Sequence, residues 1–193
     1  LDESSETFSR GSTEQVNIDV NPAGVSIPKA KATAATPAQP YRALYTSRVI
    51  EVELPFNELV PSWNIDLPEG TGVQAEIRVG RKVHGFWTPF YYFGVWGVAA
   101  RPEQKMVRDD NGTVEIDTFR STQAFDRIQY RFALVTTAPD RSPTIRRVGL
   151  AYSNTLNDEA LAGKFHKPID PGPAPVWTRR LIVPWRSQSA ETA

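Results

Sequence analysis

Between Ile50 and Tyr152 apolar residues recur at every second position, with charged or amide residues between them. Ile50-Glu-Val52-Glu-Leu54, Val73-Gln-Ala75-Glu-Ile77-Arg-Val79, Val114-Glu-Ile116-Asp and Ile128-Gln-Tyr130-Arg-Phe132-Ala-Leu134 all obey this rule. A side-chain period of two belongs to a strand with one buried face and one wet face. Several such strands in series, separated by turns, close over a single core as an antiparallel sandwich or barrel. At 193 residues the chain has room for one such body with extended appendages.

The interruptions divide the chain. Pro61-Ser62-Trp63-Asn64 and Pro68-Glu69-Gly70-Thr71-Gly72 break two strands, and Phe86 to Trp96 reads as an aromatic-dense strand pair. Arg108-Asp109-Asp110-Asn111-Gly112 is a strong turn, because Asn-Gly supplies the positive φ angles of a tight hairpin. Ser142-Pro143 introduces a last strand that points Val148, Leu150 and Tyr152 inward. Upstream, Val16-Asn-Ile18-Asp-Val20 and Gly24-Val25-Ser26-Ile27 flank Asn21-Pro22 and predict a hairpin. Lys29 to Pro40, rich in Ala, Thr and Pro, reads as a connecting loop.

Three segments result: a hairpin and loop over 1–46 that join the sandwich, a sandwich body over 47–153, and a Pro-rich arm over 154–193. In the arm Asn157 to Gly163 suits a short helical turn. Pro171, Pro173 and Pro175 then impose an extended path that a sheet interior would not tolerate. With Trp177 and Trp185 they form a candidate docking arm.

Composition narrows the function. Lysine and arginine number 22 and aspartate and glutamate 22, so no net field favours nucleic acid or an anionic membrane. No apolar run approaches the roughly 20 residues that cross a bilayer. The absence of cysteine removes thiol catalysis, disulfides and thiolate metal sites. The chain opens on Leu1, not methionine, which fits either a processed N-terminus or a trimmed fragment, and an exported, mature chain is the expectation. His84 and His166 are the only histidines, and neither has a metal-ligand spacing. No nucleophile elbow or phosphate-cradling glycine loop occurs. A carboxylate pair for glycoside hydrolysis cannot be picked out among so many acids. The expectation is a chain without catalysis, cofactor or metal.

Candidate binding residues are aromatic. Trp87, Phe90, Tyr91, Tyr92, Phe93 and Trp96 either stack on a sugar or a partner, or fill the core. Period two places Trp87, Tyr91 and Phe93 on one face and Phe86, Phe90 and Tyr92 on the other, so one apolar face meets something besides water. Trp63, between Ser62 and Asn64, lines a groove or plugs the core. Arg78 forks onto a carboxylate or sugar hydroxyl, or makes a cross-strand charge pair. Asp109, Asp110, Asn111 and Glu115 offer oxygens to calcium, although turns favour these residues anyway. Asn111-Gly112-Thr113 has the glycosylation pattern.

Several motifs are also shared with a known family. They are Phe56-Asn-Glu-Leu59-Val-Pro-Ser62-Trp63-Asn64, Pro68-Glu-Gly70-Thr-Gly72, Glu76-Ile77-Arg78-Val79, Trp87-Thr88, Trp96 and the opening Thr7-Phe8-Ser9-Arg10-Gly11. Together they resemble the N-terminal β-sandwich domain of exported bacterial cysteine peptidases of the bacteriocin-processing, papain-like type. The tail from Trp177 to Gln188 resembles the junction into the catalytic domain of such enzymes. The resemblance implies the non-catalytic half, because the family's cysteine and histidine lie beyond this point.

The combined expectation is an all-β, antiparallel, jelly-roll-like (galactose-binding-like) sandwich with extended ends. It acts outside the cytoplasm as an accessory subunit that contacts other proteins. The alternative is a module that binds carbohydrate or cell wall and positions a peptidase; a hydrolase with an unrecognised carboxylate pair is a third.

Overall fold

The computed structural model describes residues 1–11, 19–21, 24–33, 35–97 and 105–156. Among them lie strands β1 (Asp2–Glu3), β2 (Asp19–Asn21), β3 (Gly24–Ser26), β4 (Tyr41–Thr46), β5 (Ile50–Asp66) and β6 (Thr71–Arg81). There follow β7 (Phe86–Trp87), β8 (Tyr91–Gly97), β9 (Arg108–Asp109), β10 (Gly112–Glu115), β11 (Thr118–Thr136) and β12 (Thr144–Ser153). Two single helical turns, α1 (Ser5–Phe8) and α2 (Lys29–Ala32), and a 3-10 turn at Val83–Gly85 complete the described elements. Residues 1–156 form one compact unit. The fold is all-β, and each strand pairing is antiparallel.

The twelve described strands belong to one hydrogen-bonded sheet, doubled over by two long members. The 19-residue β11 pairs through its first half with β10 and β5, and through its second with β6 and β4. The 17-residue β5 passes from β11 at Ile50–Leu59 to β12 at Glu58–Asp66. Register shifts on either side of Phe125 bend the ladder there, as bulges do. One layer is β4–β11–β6–β8, the other β3–β12–β5. Trp63 on β5 meets Phe132 on β11 edge-on across the core, ring centres 5.8 Å apart.

The alternating residues point where period two requires. Val73, Ala75, Ile77 and Val79 on β6, and Ile128, Tyr130, Phe132 and Leu134 on β11, are all buried. Phe56, Phe119 and Phe125 join them, with Ile145, Val148 and Leu150 from β12. Burying each such side chain stabilises the fold by about 1.5–3 kcal/mol.

The expected break at Pro61 does not occur. β5 runs through it, because the opposing Leu150 turns its own N–H and C=O away, to Leu1 at 2.9 and 3.1 Å. The ladder therefore asks no N–H of Pro61. Phe86 to Trp96 is not a mutually paired hairpin either: β7 and β8 lie in series on the same edge of β6. Lys29 to Ala32, expected as loop, makes one helical turn. Ile116, expected inside a strand, sits at the β10–β11 hairpin tip, 97% exposed and left-handed at φ 60°.

The Asp110-Asn111 turn forms as expected, but without positive φ at either residue. Asp109 shapes it instead, its Oδ1 accepting the N–H groups of Asn111 (2.8 Å) and Gly112 (3.2 Å). Gly112 serves close approach, since a Cβ there would stand 2.4 Å from the Phe119 ring.

The N-terminal residues are tied into the sandwich. β1 adds to β12, and buried Glu3 pairs with Arg48 at 2.8 Å. The Tyr45 hydroxyl donates to the Phe8 carbonyl at 2.9 Å, and the two rings meet edge-on.

Two substitutions test this account through urea-unfolding midpoints. Gly112→Ala should cost about 1–3 kcal/mol by overpacking against Phe119. Ile116→Asn should stabilise by about 1 kcal/mol, because asparagine tolerates the left-handed region that a β-branched residue resists.

Candidate docking face

On the β4–β11–β6–β8 layer one parity faces the core. The other parity carries Arg42, Leu44 and Thr46 on β4, Gln129, Arg131, Ala133 and Val135 on β11, Gln74, Glu76 and Arg78 on β6, and Tyr92 and Val95 on β8. This outer face is unusually dry for a sheet with water as its neighbour. Gln74, Glu76, Gln129, Ala133 and Val135 are all buried.

Stacked cations and rings organise the surface around them. Phe90 holds two guanidiniums, those of Arg131 at 4.0 Å and Arg78 at 4.8 Å from its ring centre. Arg78 also lies 4.6 Å from the Trp87 ring centre, and Lys105 lies 5.4 Å from that of Tyr92. Such contacts contribute about 0.5–2 kcal/mol each, more as water is excluded. Hydrogen bonds orient the same guanidiniums: Arg78 Nε donates to Gln129 Oε1 (2.8 Å) and Arg131 Nε to Glu76 Oε2 (2.5 Å). Trp87 rests on Gly80, where a Cβ would stand 2.7 Å from the indole. Trp87, Phe90 and Tyr92 remain half-buried.

The expected face assignment is thereby corrected. Trp87 and Tyr91 do not share a surface, because Thr88–Phe90 interrupt the strand. Buried Thr88 turns back on β6, its N–H reaching the Val79 carbonyl at 2.9 Å. Tyr91 is wholly buried and its ring is not open to a ligand. Its hydroxyl donates to Asp109. Burial, and then Asp109 itself, pushes the phenol well above its ordinary pKa.

Burial pulls Asp109 upward as well, but hydrogen bonds from Tyr91, Asn111 and Gly112 outweigh it and hold the carboxyl below its ordinary value. With Asn111 Nδ2 on Oδ2 at 2.9 Å, both Asp109 oxygens serve the turn. Among the described residues no cluster of three acidic or histidine side chains could hold a metal ion.

Trp63 and Trp96 pair edge-on at 4.9 Å between ring centres and pack against the core. A groove of about 350 Å³ is lined by Asp2, Ser62, Trp63, Asn64, Arg147 and Gly149. Arg147 Nε donates to Asp2 Oδ1 at 2.7 Å on its rim. A second groove of about 500 Å³ lies beside the β9–β10 hairpin and includes Arg108, Asp110, Arg120 and Ser121. His84 stands exposed in the 3-10 turn. His166 and the arm residues Pro171, Pro173, Pro175, Trp177 and Trp185 lie outside the described residues.

Of the residues singled out from sequence, the face unites Trp87, Phe90, Tyr92 and Arg78. Phe90 takes a central role, and the face adds Arg131, Glu76, Gln129 and Lys105, which sequence reasoning missed. The available signal was the repeated amide-or-acid then arginine at outward positions, Glu76-x-Arg78 and Gln129-x-Arg131. No helix among the described residues is long and apolar enough to cross a membrane.

Fold and face together define an all-β sandwich domain. Over residues 2–153 the sequence matches the Peptidase C39 N-terminal domain. The chain belongs to that family. No curated protein and no solved structure matches it.

The Asp109 network carries a pH dependence. A carboxylate whose folded pKa is depressed stabilises the fold above its unfolded pKa, near 4, and loses that contribution as pH falls through the folded value. Urea midpoints should therefore fall more steeply below about pH 4 in the wild type than in Asp109→Asn. Parallel curves would contradict the assignment.

Proposed function

We propose that this chain is a non-catalytic docking module that works outside the cytoplasm. It holds together an assembly of its peptidase family by gripping a partner protein through the face of Trp87, Phe90, Tyr92, Arg78 and Arg131. The observation that carries this reading is a set of half-buried rings locked in place by guanidiniums. Aromatic and arginine side chains dominate binding at protein interfaces, and rings already fixed lose little freedom on docking. Family membership supports the non-catalytic part, since the match is to the N-terminal domain and the chain has no cysteine. The Pro-rich arm is proposed as a second contact.

The test is binding of the full chain to a separately expressed catalytic domain of the same peptidase family, followed by analytical ultracentrifugation. The Trp87→Ala/Phe90→Ala double variant should bind at least about tenfold more weakly while keeping the wild-type circular dichroism spectrum. A wild-type chain that stays monomeric beside that domain would count against the reading, as would cytoplasmic recovery of the protein on cell fractionation.

The second reading, a carbohydrate- or cell-wall-binding module, draws support from the groove beside Trp63, where Ser62, Asn64, Asp2 and Arg147 offer hydrogen bonds next to an indole. Pull-down on purified cell wall should then be weakened by Asn64→Ala and unaffected by Trp87→Ala. Equal retention of both variants would remove this reading.

A further inference from the structure

We infer that Asn111 is a latent deamidation site, kept unreactive in the folded chain by the Asp109 carboxylate.

Packing imposes the susceptible pair. A residue with a side chain shields its own backbone nitrogen, whereas glycine leaves it open, so an asparagine followed by glycine is well placed for ring closure. Position 112 cannot be anything larger, because a Cβ there would stand 2.4 Å from the Phe119 ring and 2.8 Å from the Arg120 carbonyl oxygen. Asn111 and Gly112 are only half-buried, so water and hydroxide reach them.

Ring closure joins the Gly112 backbone nitrogen to Asn111 Cγ. The nitrogen gives its proton to a solvent base, the Cγ–Nδ2 bond breaks, and Nδ2 takes a proton and leaves as ammonia. Water then opens the succinimide at either carbonyl and leaves aspartate or isoaspartate. The net change is amide and water to acid and ammonia.

Asp109 meets both reacting groups. Its Oδ1 accepts the attacking Gly112 N–H at 3.2 Å, and its Oδ2 accepts the departing Asn111 Nδ2 at 2.9 Å. The carboxyl, held below its ordinary pKa, stays charged at neutral pH. A fixed anion there opposes the nitrogen anion and the oxyanion through which ring closure must pass. It acts as an oxyanion hole in reverse. The backbone is pinned as well: the Asn111 N–H donates to Asp109 Oδ1 at 2.8 Å, and its carbonyl accepts the Ser121 hydroxyl at 2.5 Å. The buried Tyr91 hydroxyl donates to Asp109 and anchors the carboxylate in turn. Conversion would be self-reinforcing, because an acid at 111 puts a second carboxylate where Asp109 had a donor, and like charges open the turn.

The full chain is incubated in mild alkali, folded or in guanidinium chloride. Conversion at position 111 is followed by peptide mass spectrometry and by enzymatic methylation of isoaspartate. Folded wild type should convert at least about tenfold more slowly than the unfolded chain. Folded Asp109→Asn, which keeps the side-chain size and loses the charge, should convert at least about fivefold faster than folded wild type. Val148→Ala destabilises from the buried side of β12 and leaves the turn intact; it should stay as slow as wild type. Both variants are assayed where circular dichroism shows them fully folded. Wild type converting equally fast folded and unfolded would overturn the inference. So would Asp109→Asn converting no faster than wild type, since the carboxylate would then protect nothing. Equal acceleration in Val148→Ala would trace the reaction to global opening and overturn it too.

Discussion

Everything in this domain depends on two strands that are too long for one layer. β5 and β11 each run through both halves of the sandwich, so the layers are continuous through hydrogen bonds instead of being held only by side-chain packing. The bend is supplied by the irregular registers around Phe125. A flat ladder of that length would leave the apolar parity of its far end in water. Bent, the same parity turns inward at both ends, and Phe56, Phe119, Phe125 and Phe132 come to share one interior. β5 shows the matching slip: buried and half-buried apolar residues step by two from Ile50 to Phe56, then resume at Leu59, Pro61 and Trp63.

The outer parity of β6 and β11 follows from the same pairing. Antiparallel register sets Arg78 opposite Gln129 and Arg131 opposite Glu76, so each guanidinium is aligned by a neighbour across the ladder. The connection between β7 and β8 then folds Phe90 over both. A charged sheet face that would otherwise be mobile becomes an ordered surface of alternating rings and cations. Belonging to a family of peptidase N-terminal domains gives that surface its context. The chemistry that could recognise a partner lies on the outside of the sheet, away from the core that the sequence patterning describes.

How much was legible follows from what period two can and cannot say. Inward residues such as Val73, Ile77, Tyr130 and Phe132 were readable one strand at a time. Pro61 misled, because whether a strand tolerates proline depends on which way its partner's N–H points. Ile116 misled because a hairpin tip interrupts alternation without a glycine to mark it. Trp87 and Tyr91 were placed together because Thr88 gives no local sign that it returns to β6. Phe90 and Arg131 were invisible as a pair, being 41 positions apart in the chain and joined only by register. The candidate site was thus half readable: the aromatic residue types were evident, their cationic partners were not.

A last consequence comes from β11. Because it contributes backbone to both layers and pairs with β10, the two layers cannot melt independently of each other. The domain should lose its structure in one step. Its outer face would then be either wholly formed or wholly gone, and proteolysis within β5, β6, β11 or β12 would require global opening first.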